Sequence, residues 1–381
     1  MRATFSLGRV AGIRVGVHWS VLVIFALIVV GLARGGFPES VPGRPMWQYW
    51  FASAVTAAVF LVSLLAHEMS HALVARRNGV AVEDITLWLL GGLARLRSEA
   101  RTPGAELRIA GVGPLVSLVL GVLFALAAAV PAALAGSGLM VEALAWLAGI
   151  NILLAVFNAL PAAPLDGGRL LRALVWWKTG SPLRATAVAT SAGRFLGWAL
   201  VGVGLYLVLV GSAFGGIWLV VVGWFVVAMA GAEGGQARLR ELLAGIPARD
   251  AMTADPTTVR DTASVAEFLA DPGLRYRHSA FPVLDRDDAA VGLLTVRGAD
   301  AVPVPDREGT PVTRVMVPAR ELPMAGPDDP LTRLVPELDA GSVRRVLVLE
   351  NGRLVGIVTT ADISRVTAWL TTVAGRRRPP R

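Results

Sequence analysis

Long apolar segments constrain this chain more than any other feature of its sequence. Between Ile109 and Gly168 there is no Lys or Arg, and the only carboxylates are Glu142 and Asp166. A helix needs about 20 apolar residues to cross the hydrocarbon core of a bilayer. We therefore predict six membrane-spanning helices, over roughly residues 13–33, 50–75, 107–134, 139–160, 186–210 and 214–232.

The basic residues predict how these helices are oriented. They cluster before helix one, between helices two and three and between helices four and five, whereas the opposite loops carry only Arg34 and Arg44. Because Lys and Arg are enriched in cytoplasmic loops, both termini are expected in the cytoplasm. A single Lys with abundant Arg and Ala is associated with GC-rich bacterial genomes, so we expect a multi-pass protein of a bacterial cell membrane. The basic residues follow the membrane borders rather than one module, which argues against nucleic-acid binding.

A different composition begins after about residue 240, where charged residues, prolines and short β-branched runs replace the apolar segments. This region contains a repeat: "VGLLT" (291–295) recurs as "VGIVT" (355–359). A strand-like run precedes each copy, and "NG" at Asn351 and Gly352 is a strong hairpin signal. The pattern predicts two related α/β domains outside the membrane, followed by a basic tail at residues 373–381.

The repeat resembles a tandem pair of CBS domains, with bounds predicted at 246–310 and 311–372 and the closest likeness in "GIVTTADI". Such pairs commonly bind adenine nucleotides, and the resemblance implies that Thr359 and Asp362 lie on the ribose and phosphate side. In the first copy Gly298 stands where Asp is expected, which suggests at most one working site. The alternative, that Thr359 and Asp362 only cap the following helix, stays open. The fusion also raises the hypothesis that the pair regulates activity and mediates homodimerisation.

Three ionisable residues interrupt the second apolar segment: His67, Glu68 and His71 in "LLAHEMSHALVARR". Ionisable groups in a membrane helix cost at least roughly 2.5 kcal/mol each and therefore usually mark function. Residues four apart share one face of a helix, so both imidazoles can reach a single ion, and zinc is the usual metal for such ligands. Glu68 can then act as a general base. The alternative is a solvated polar helix face, which a membrane environment disfavours.

A catalytic zinc usually has a third protein ligand, and the chain contains no Cys to supply it. His278 lies in the CBS-like region, and His18 beside a Trp is typical of a membrane interface. Asp166, in "FNALPAAPLDGGRLL" (157–171), is the better candidate because prolines and glycines there break the helix. Irregular backbone at membrane depth is tolerated where it lines a cavity. The alternative is a solvated Asp166 at an ordinary helix end.

"AHEMSHALVAR" followed by "NALPAAPLDGGR" resembles the site-2 protease family of intramembrane zinc metalloproteases, over about residues 10–240. The resemblance implies one zinc ion per chain held by His67, His71 and Asp166, water activation by Glu68, and an oxyanion-stabilising role for Asn158. A hydrogen bond between helices is the alternative for Asn158. The sequence departs from the family at Ser117, where Asn is often found.

The segment "ITLWLLGGLARLRS" (85–98) contains two strand-like runs around Gly91 and Gly92, which predict a hairpin turn. An exposed edge strand there could bind an unwound substrate by strand addition. A surface loop of amphipathic character is the alternative.

These features together predict a polytopic α-helical membrane domain over residues 1–240, with a small membrane-associated β-hairpin and a C-terminal tandem CBS pair. The predicted function is intramembrane zinc endopeptidase activity on transmembrane or membrane-proximal segments of other proteins, regulated by an adenine nucleotide. The competing hypothesis is a CBS-regulated transporter or channel for a divalent metal. Glu68 distinguishes the two, because proteolysis needs a base beside the metal and transport does not.

Overall fold

A computed structural model describes residues 4–88, 91–96, 100–135, 138–274, 278–341 and 343–376. The chain divides into two compact units, Met1–Gly235 and Gln236–Arg381. The elements up to residue 243 are, in chain order, β1 (Phe5–Val10), β2 (Ile13–Val17), α1 (Val21–Gly31), α2 (Phe37–Ser40), α3 (Met46–Arg77), β3 (Val82–Trp88), β4 (Gly91–Leu96), α4 (Pro103–Ala135), α5 (Leu139–Ala159), α6 (Asp166–Thr179), α7 (Pro182–Leu209) and α8 (Ala213–Leu243).

The predicted number of membrane-spanning helices is confirmed. Within the described ranges, six helical segments are long and apolar enough to cross a bilayer: Val21–Ser40, Met46–Arg77, Pro103–Ala133, Leu139–Ala159, Pro182–Leu209 and Gly215–Leu243. Large apolar side chains such as Phe195 and Leu209 are 78% and 86% exposed. Exposed apolar side chains along helices of this length fit contact with lipid rather than water.

The first helix begins at Val21, so the prediction of a helix from residue 13 was wrong. Residues 13–17 form β2 instead, in which Ile13 and Val15 are buried and Arg14 between them is exposed. This alternation is the period of a strand. Ile13 and Val15 pack with Ile85 and with one side of α3, which makes the strand more favourable than an extension of α1.

The predicted hairpin is present as part of a larger sheet in the order β1-β2-β3-β4. β3 pairs with β4 in the antiparallel sense and with β2 in the parallel sense. Gly91 and Gly92 pair with Trp88 and Leu87 at the start of β4, so they do not form the turn that the sequence predicted. β2 pairs with β3 as far as Leu87 and keeps that strand extended, while residues 89–90 lie outside the described residues.

The second unit contains two similar four-stranded sheets. Its further elements are α9 (Ala248–Ala251), β5 (Thr253–Ala254), β6 (Val259–Arg260), α10 (Val265–Ala270), β7 (Ala280–Leu284), β8 (Ala290–Thr295), α11 (Val296–Asp300), β9 (Val317–Pro318), β10 (Met324–Ala325), α12 (Leu331–Ala340), β11 (Arg345–Glu350), β12 (Arg353–Thr359) and α13 (Thr360–Arg376). The sheet orders are β6-β7-β8-β9 and β10-β11-β12-β5.

The two sheets exchange their outer strands. β5 belongs to the first copy in sequence but pairs with β12 of the second, and β9 belongs to the second copy in sequence but pairs with β8 of the first. A shared apolar cluster that includes Ala280, Leu293 and Leu347 joins the two copies. The bounds at residues 246, 310 and 372 stay a prediction, since the copies interlock through these short strands.

Candidate metal centre

The two histidines of α3 and the first residue of α6 converge although 95 residues separate His71 from Asp166. The Oδ2 of Asp166 lies 3.3 Å from Nε2 of His67 and 3.1 Å from Nε2 of His71. The two Nε2 atoms are 3.2 Å apart. Both histidines are buried, so three ligand atoms meet in a site largely closed to solvent.

This donor set fits zinc. Zinc binds His nitrogen and carboxylate oxygen at about 2.0–2.1 Å in tetrahedral geometry, so neighbouring ligand atoms lie roughly 3.3–3.4 Å apart. The three distances of 3.1, 3.2 and 3.3 Å match the edges of one face of such a tetrahedron. Three protein ligands leave the fourth position of a catalytic zinc free for water or substrate.

Local sequence places the histidines on α3. Their spacing puts both rings on the face that packs against α4, and the ring centroids are 4.9 Å apart. Glu68 projects from the adjacent position, and its carboxylate interacts electrostatically with His71. Glu68 therefore places a negative charge near the candidate ligands, next to His67 on the same helix.

The break between α5 and α6 places Asp166. α5 ends at Ala159, and α6 starts at Asp166 after the two prolines of the intervening segment. A Cβ on Gly167 would collide with the carbonyl groups of Leu160 and Ala159, and one on Gly168 with the backbone of Ala163. These glycines allow α6 to begin directly against the end of α5.

Ionisation of Asp166 suits the role of a metal ligand. Burial raises the pKa of its carboxyl, but hydrogen bonds with His67 and His71 outweigh burial and hold that pKa below its ordinary value. The carboxylate is therefore the stable form beside the two imidazoles.

Outer contacts from α4 orient both histidines, and sequence reasoning missed them. Nδ1 of His71 lies 2.6 Å from the carbonyl oxygen of Ile109. Because a carbonyl can only accept, Nδ1 carries a proton, and in the neutral ring Nε2 then keeps its lone pair for a metal. Nδ1 of His67 lies 2.8 Å from the hydroxyl of Ser117, which is fully buried. The signal in the sequence that could have identified Ser117 is its hydroxyl within the otherwise apolar run 109–134.

Asn158, predicted to stabilise an oxyanion, lies near the end of α5 and is partly buried. Its Nδ2 donates to the carbonyl oxygen of Leu154 on the same helix, at 3.1 Å. An amide nitrogen carries two hydrogens, so this bond leaves one further donor. This hydrogen bond lies within one helix rather than between helices.

Comparison with known proteins identifies the family of this chain. A family model described as Peptidase family M50 matches residues 55–200, which include all three ligand candidates. Rip3 of Mycobacterium tuberculosis is 43% identical over 367 residues, covering 96% of this chain and 93% of Rip3. The chain belongs to peptidase family M50, the site-2 proteases.

Further proteins are similar to this chain. A zinc metalloprotease of Methanocaldococcus jannaschii is 29% identical, with 97% of this chain and 98% of the relative covered. The solved structure of a site-2 protease from the same organism is 30% identical and covers 60% of this chain and 94% of its own, at a TM-score of 0.42. Because it belongs to this family, the M50 chain is a zinc metalloendopeptidase with multiple membrane spans. The competing hypothesis of a metal transporter is set aside.

The CBS assignment is also confirmed, since a CBS domain model matches residues 248–298 and 312–368. A cavity of about 940 Å³ lies between the two copies, and its lining includes Thr359, Asp362 and the side chains of Arg297, Arg344, Arg345 and Arg365. Burial lowers the pKa of Arg345, whose guanidinium donates to Ser279 at 2.7 Å.

Asp362 itself is held from several sides. Its Oδ2 accepts hydrogen bonds from the backbone N–H and the hydroxyl of Thr359, at 2.9 and 2.7 Å. Its Oδ1 accepts from Arg365 at 2.6 Å. In return, the hydroxyl of Thr359 accepts from the backbone of Asp362, which caps α13. The pair thus caps the helix and lines the cavity at once, so both alternatives from the sequence are compatible with this arrangement.

Proposed function

We propose that the chain hydrolyses peptide bonds in transmembrane or membrane-proximal segments of other proteins, with His67, His71 and Asp166 as the zinc ligands. The observation that carries this proposal is the convergence of three ligand atoms within 3.3 Å of one another on helices of a membrane-spanning unit. When bound, zinc supplies a Lewis acid that polarises a carbonyl and lowers the pKa of water.

Glu68 is the proposed general base. Its carboxylate takes a proton from the attacking water and delivers it to the leaving amine, a role that needs hydrogen-bond reach to the water. Asn158 is proposed to donate its remaining amide hydrogen to the developing oxyanion, where a well-placed donor is worth about 3–4 kcal/mol. Burial of the histidines keeps bulk water away and strengthens these interactions.

The β-sheet offers a place for the substrate backbone. A membrane helix shields its own peptide bonds, so an unwound segment needs new hydrogen-bond partners. In the described sheet order β4 is an outer strand with β3 as its neighbour, and it starts at Gly91 and Gly92. We propose that the substrate adds to the outer side of β4.

The CBS pair is proposed to bind an adenine nucleotide and so regulate cleavage. The cavity between the copies is within the usual size of ligand pockets, about 300–1,000 Å³. Its guanidinium groups suit phosphate oxygens, and Thr359 at the start of α13 suits a ribose or phosphate. Homodimerisation through the pair, and a bacterial cell membrane with both termini in the cytoplasm, remain parts of this proposal.

The test is cleavage of tagged membrane-spanning peptides by the purified chain, wild type against Glu68→Gln. Cleavage by the wild type that the Glu68→Gln variant lacks, at equal zinc content in both proteins, is the expected result. Glu68→Gln protein that keeps full activity would remove Glu68 from the mechanism. Loss of zinc from His67→Ala or Asp166→Ala is expected as well, and retention would exclude them as ligands.

A further inference from the structure

One face of α4 contacts both histidines of the metal centre. Ile109, Gly113 and Ser117 follow one another at spacings of four residues. Ile109 contacts His71, Ser117 contacts His67, and Gly113 lies against both histidines. Residues at such spacings share one side of a helix. Glu106, three residues before Ile109, begins the same face and is only 1% exposed.

Glu106 connects this face to the helix that carries Asp166. Its Oε1 lies 3.7 Å from Nε of Arg169 and 3.5 Å from Nη1 of Arg172. These arginines follow Asp166 by three and six residues on α6. A buried carboxylate is stable only when it is paired, and removing one partner of a buried pair is strongly unfavourable. The ion pair therefore favours one placement of α6 against α4.

We infer that Glu106 is a positioning residue of the metal centre. Through Arg169 and Arg172 it holds α6 on α4 at the register that brings Asp166 to the two histidines. Asp166 needs this support because it follows a broken helix, whereas the histidines belong to a continuous one. The inference rests on the metal centre proposed above.

Zinc affinity tests the inference without relying on activity. The full chain in detergent is stripped with a chelator and titrated with Zn²⁺ against a chromophoric competitor, and the absorption of Co²⁺-loaded protein reports the ligand geometry. Loss of an outer contact of a metal ligand typically weakens binding about 10–100-fold. We expect this increase in Kd, together with a changed Co²⁺ spectrum, for Glu106→Gln and for Arg172→Gln. The double variant should bind Zn²⁺ no more weakly than the weaker-binding of the two single variants.

Thr102→Ala is the matched control. The Thr102 hydroxyl accepts the backbone N–H of Ala105 at the start of the same helix, without an ion pair to α6. This variant should leave the Zn²⁺ Kd and the Co²⁺ spectrum unchanged.

Folded Glu106→Gln protein with wild-type affinity and spectrum would overturn the inference, as would equal weakening by Thr102→Ala. If Glu106→Gln protein cannot be recovered folded, the Zn²⁺ Kd of Arg172→Lys is measured instead. Lys keeps the positive charge, but its side chain is shorter than that of Arg. A raised Kd supports the inference, and an unchanged Kd overturns it. A wild-type chain that binds no Zn²⁺ would instead overturn the metal centre itself.

Discussion

Gly113 of α4 lies directly against His71. A Cβ at this position would sit 2.8 Å from Nε2 of His67 and closer still to Nε2 of His71, the two atoms that face Asp166. A real Cβ does not approach another atom so closely, so one of the groups would have to move. The absence of a side chain at Gly113 is what lets α4 pack against α3 at the metal centre.

Gly113→Ala is expected to displace the imidazoles and weaken zinc binding. Overpacking a well-packed site costs about 1–3 kcal/mol. Tenfold in an equilibrium constant corresponds to roughly 1.4 kcal/mol, so the Zn²⁺ Kd is expected to rise about 5–150-fold. Competition titration measures it. Gly111→Ala, on the same helix, is the control, because its Cβ would make only an ordinary contact of 3.7 Å with Leu170 of α6. Similar Kd values for the two variants would contradict the steric explanation.

Ser117→Ala removes the hydroxyl that orients His67. Because the ligand itself stays in place, we expect a rise of about 10–100-fold in the Zn²⁺ Kd rather than complete loss of the site. Ser63→Ala serves for comparison, since Ser63 is also buried but its hydroxyl donates to Val59 of its own helix. If Ser117→Ala binds Zn²⁺ as the wild type does, the hydroxyl has no part in orienting the ring.

A proline scan of β4 tests strand addition. Proline lacks the backbone N–H, and along a strand the N–H groups point alternately to the two sides. Substitution at successive positions from Gly92 to Arg95 should therefore reduce peptide cleavage at alternate positions, where the lost N–H faces away from β3. Zinc content should stay constant at those positions. Cleavage that falls equally at every position, or at none, would speak against pairing with the substrate.

Arg345→Ala tests the nucleotide proposal. A hydrogen bond to a charged group is worth about 1.5–3 kcal/mol, so the Kd for ATP should rise roughly 10–150-fold. Calorimetric titration of the full chain measures this change. Arg286→Ala is the control, because Arg286 is exposed and is absent from the residues that line the cavity. If the wild type does not bind ATP, the proposal that ATP is the ligand is wrong. If Arg345→Ala binds ATP as the wild type does, the nucleotide binds away from Arg345.

Local patterns were sufficient for much of this architecture. The lengths of the apolar segments predicted six spans, and the repeat of "VGIVT" predicted the CBS pair. Ser264 and Glu267, three residues apart, form a capping box at the start of α10, which is a pattern contained in the local sequence. In each case the information lies within one helix or strand, where period and length are sufficient.

The sequence was ambiguous where one segment carried the signals of two different structures. Residues 13–17 are part of a long apolar run, yet they form β2 because β3, some 70 residues later in the chain, offers a parallel partner. Likewise Gly91 and Gly92 carry the signal of a turn but begin a strand, because pairing with β2 keeps β3 extended. The residues of neither segment indicate which distant strand will pair with it.

The sequence by itself determined which groups could bind a metal: two imidazoles at helical spacing, no thiol, and an Asp after a broken helix. Only the tertiary structure decided that Asp166 meets His67 and His71, and that Ile109, Gly113 and Ser117 arrange the site from a third helix. Spacing along one helix is set by its own geometry. The distance between helices depends instead on how their buried faces pack, to which residues far apart in sequence contribute together.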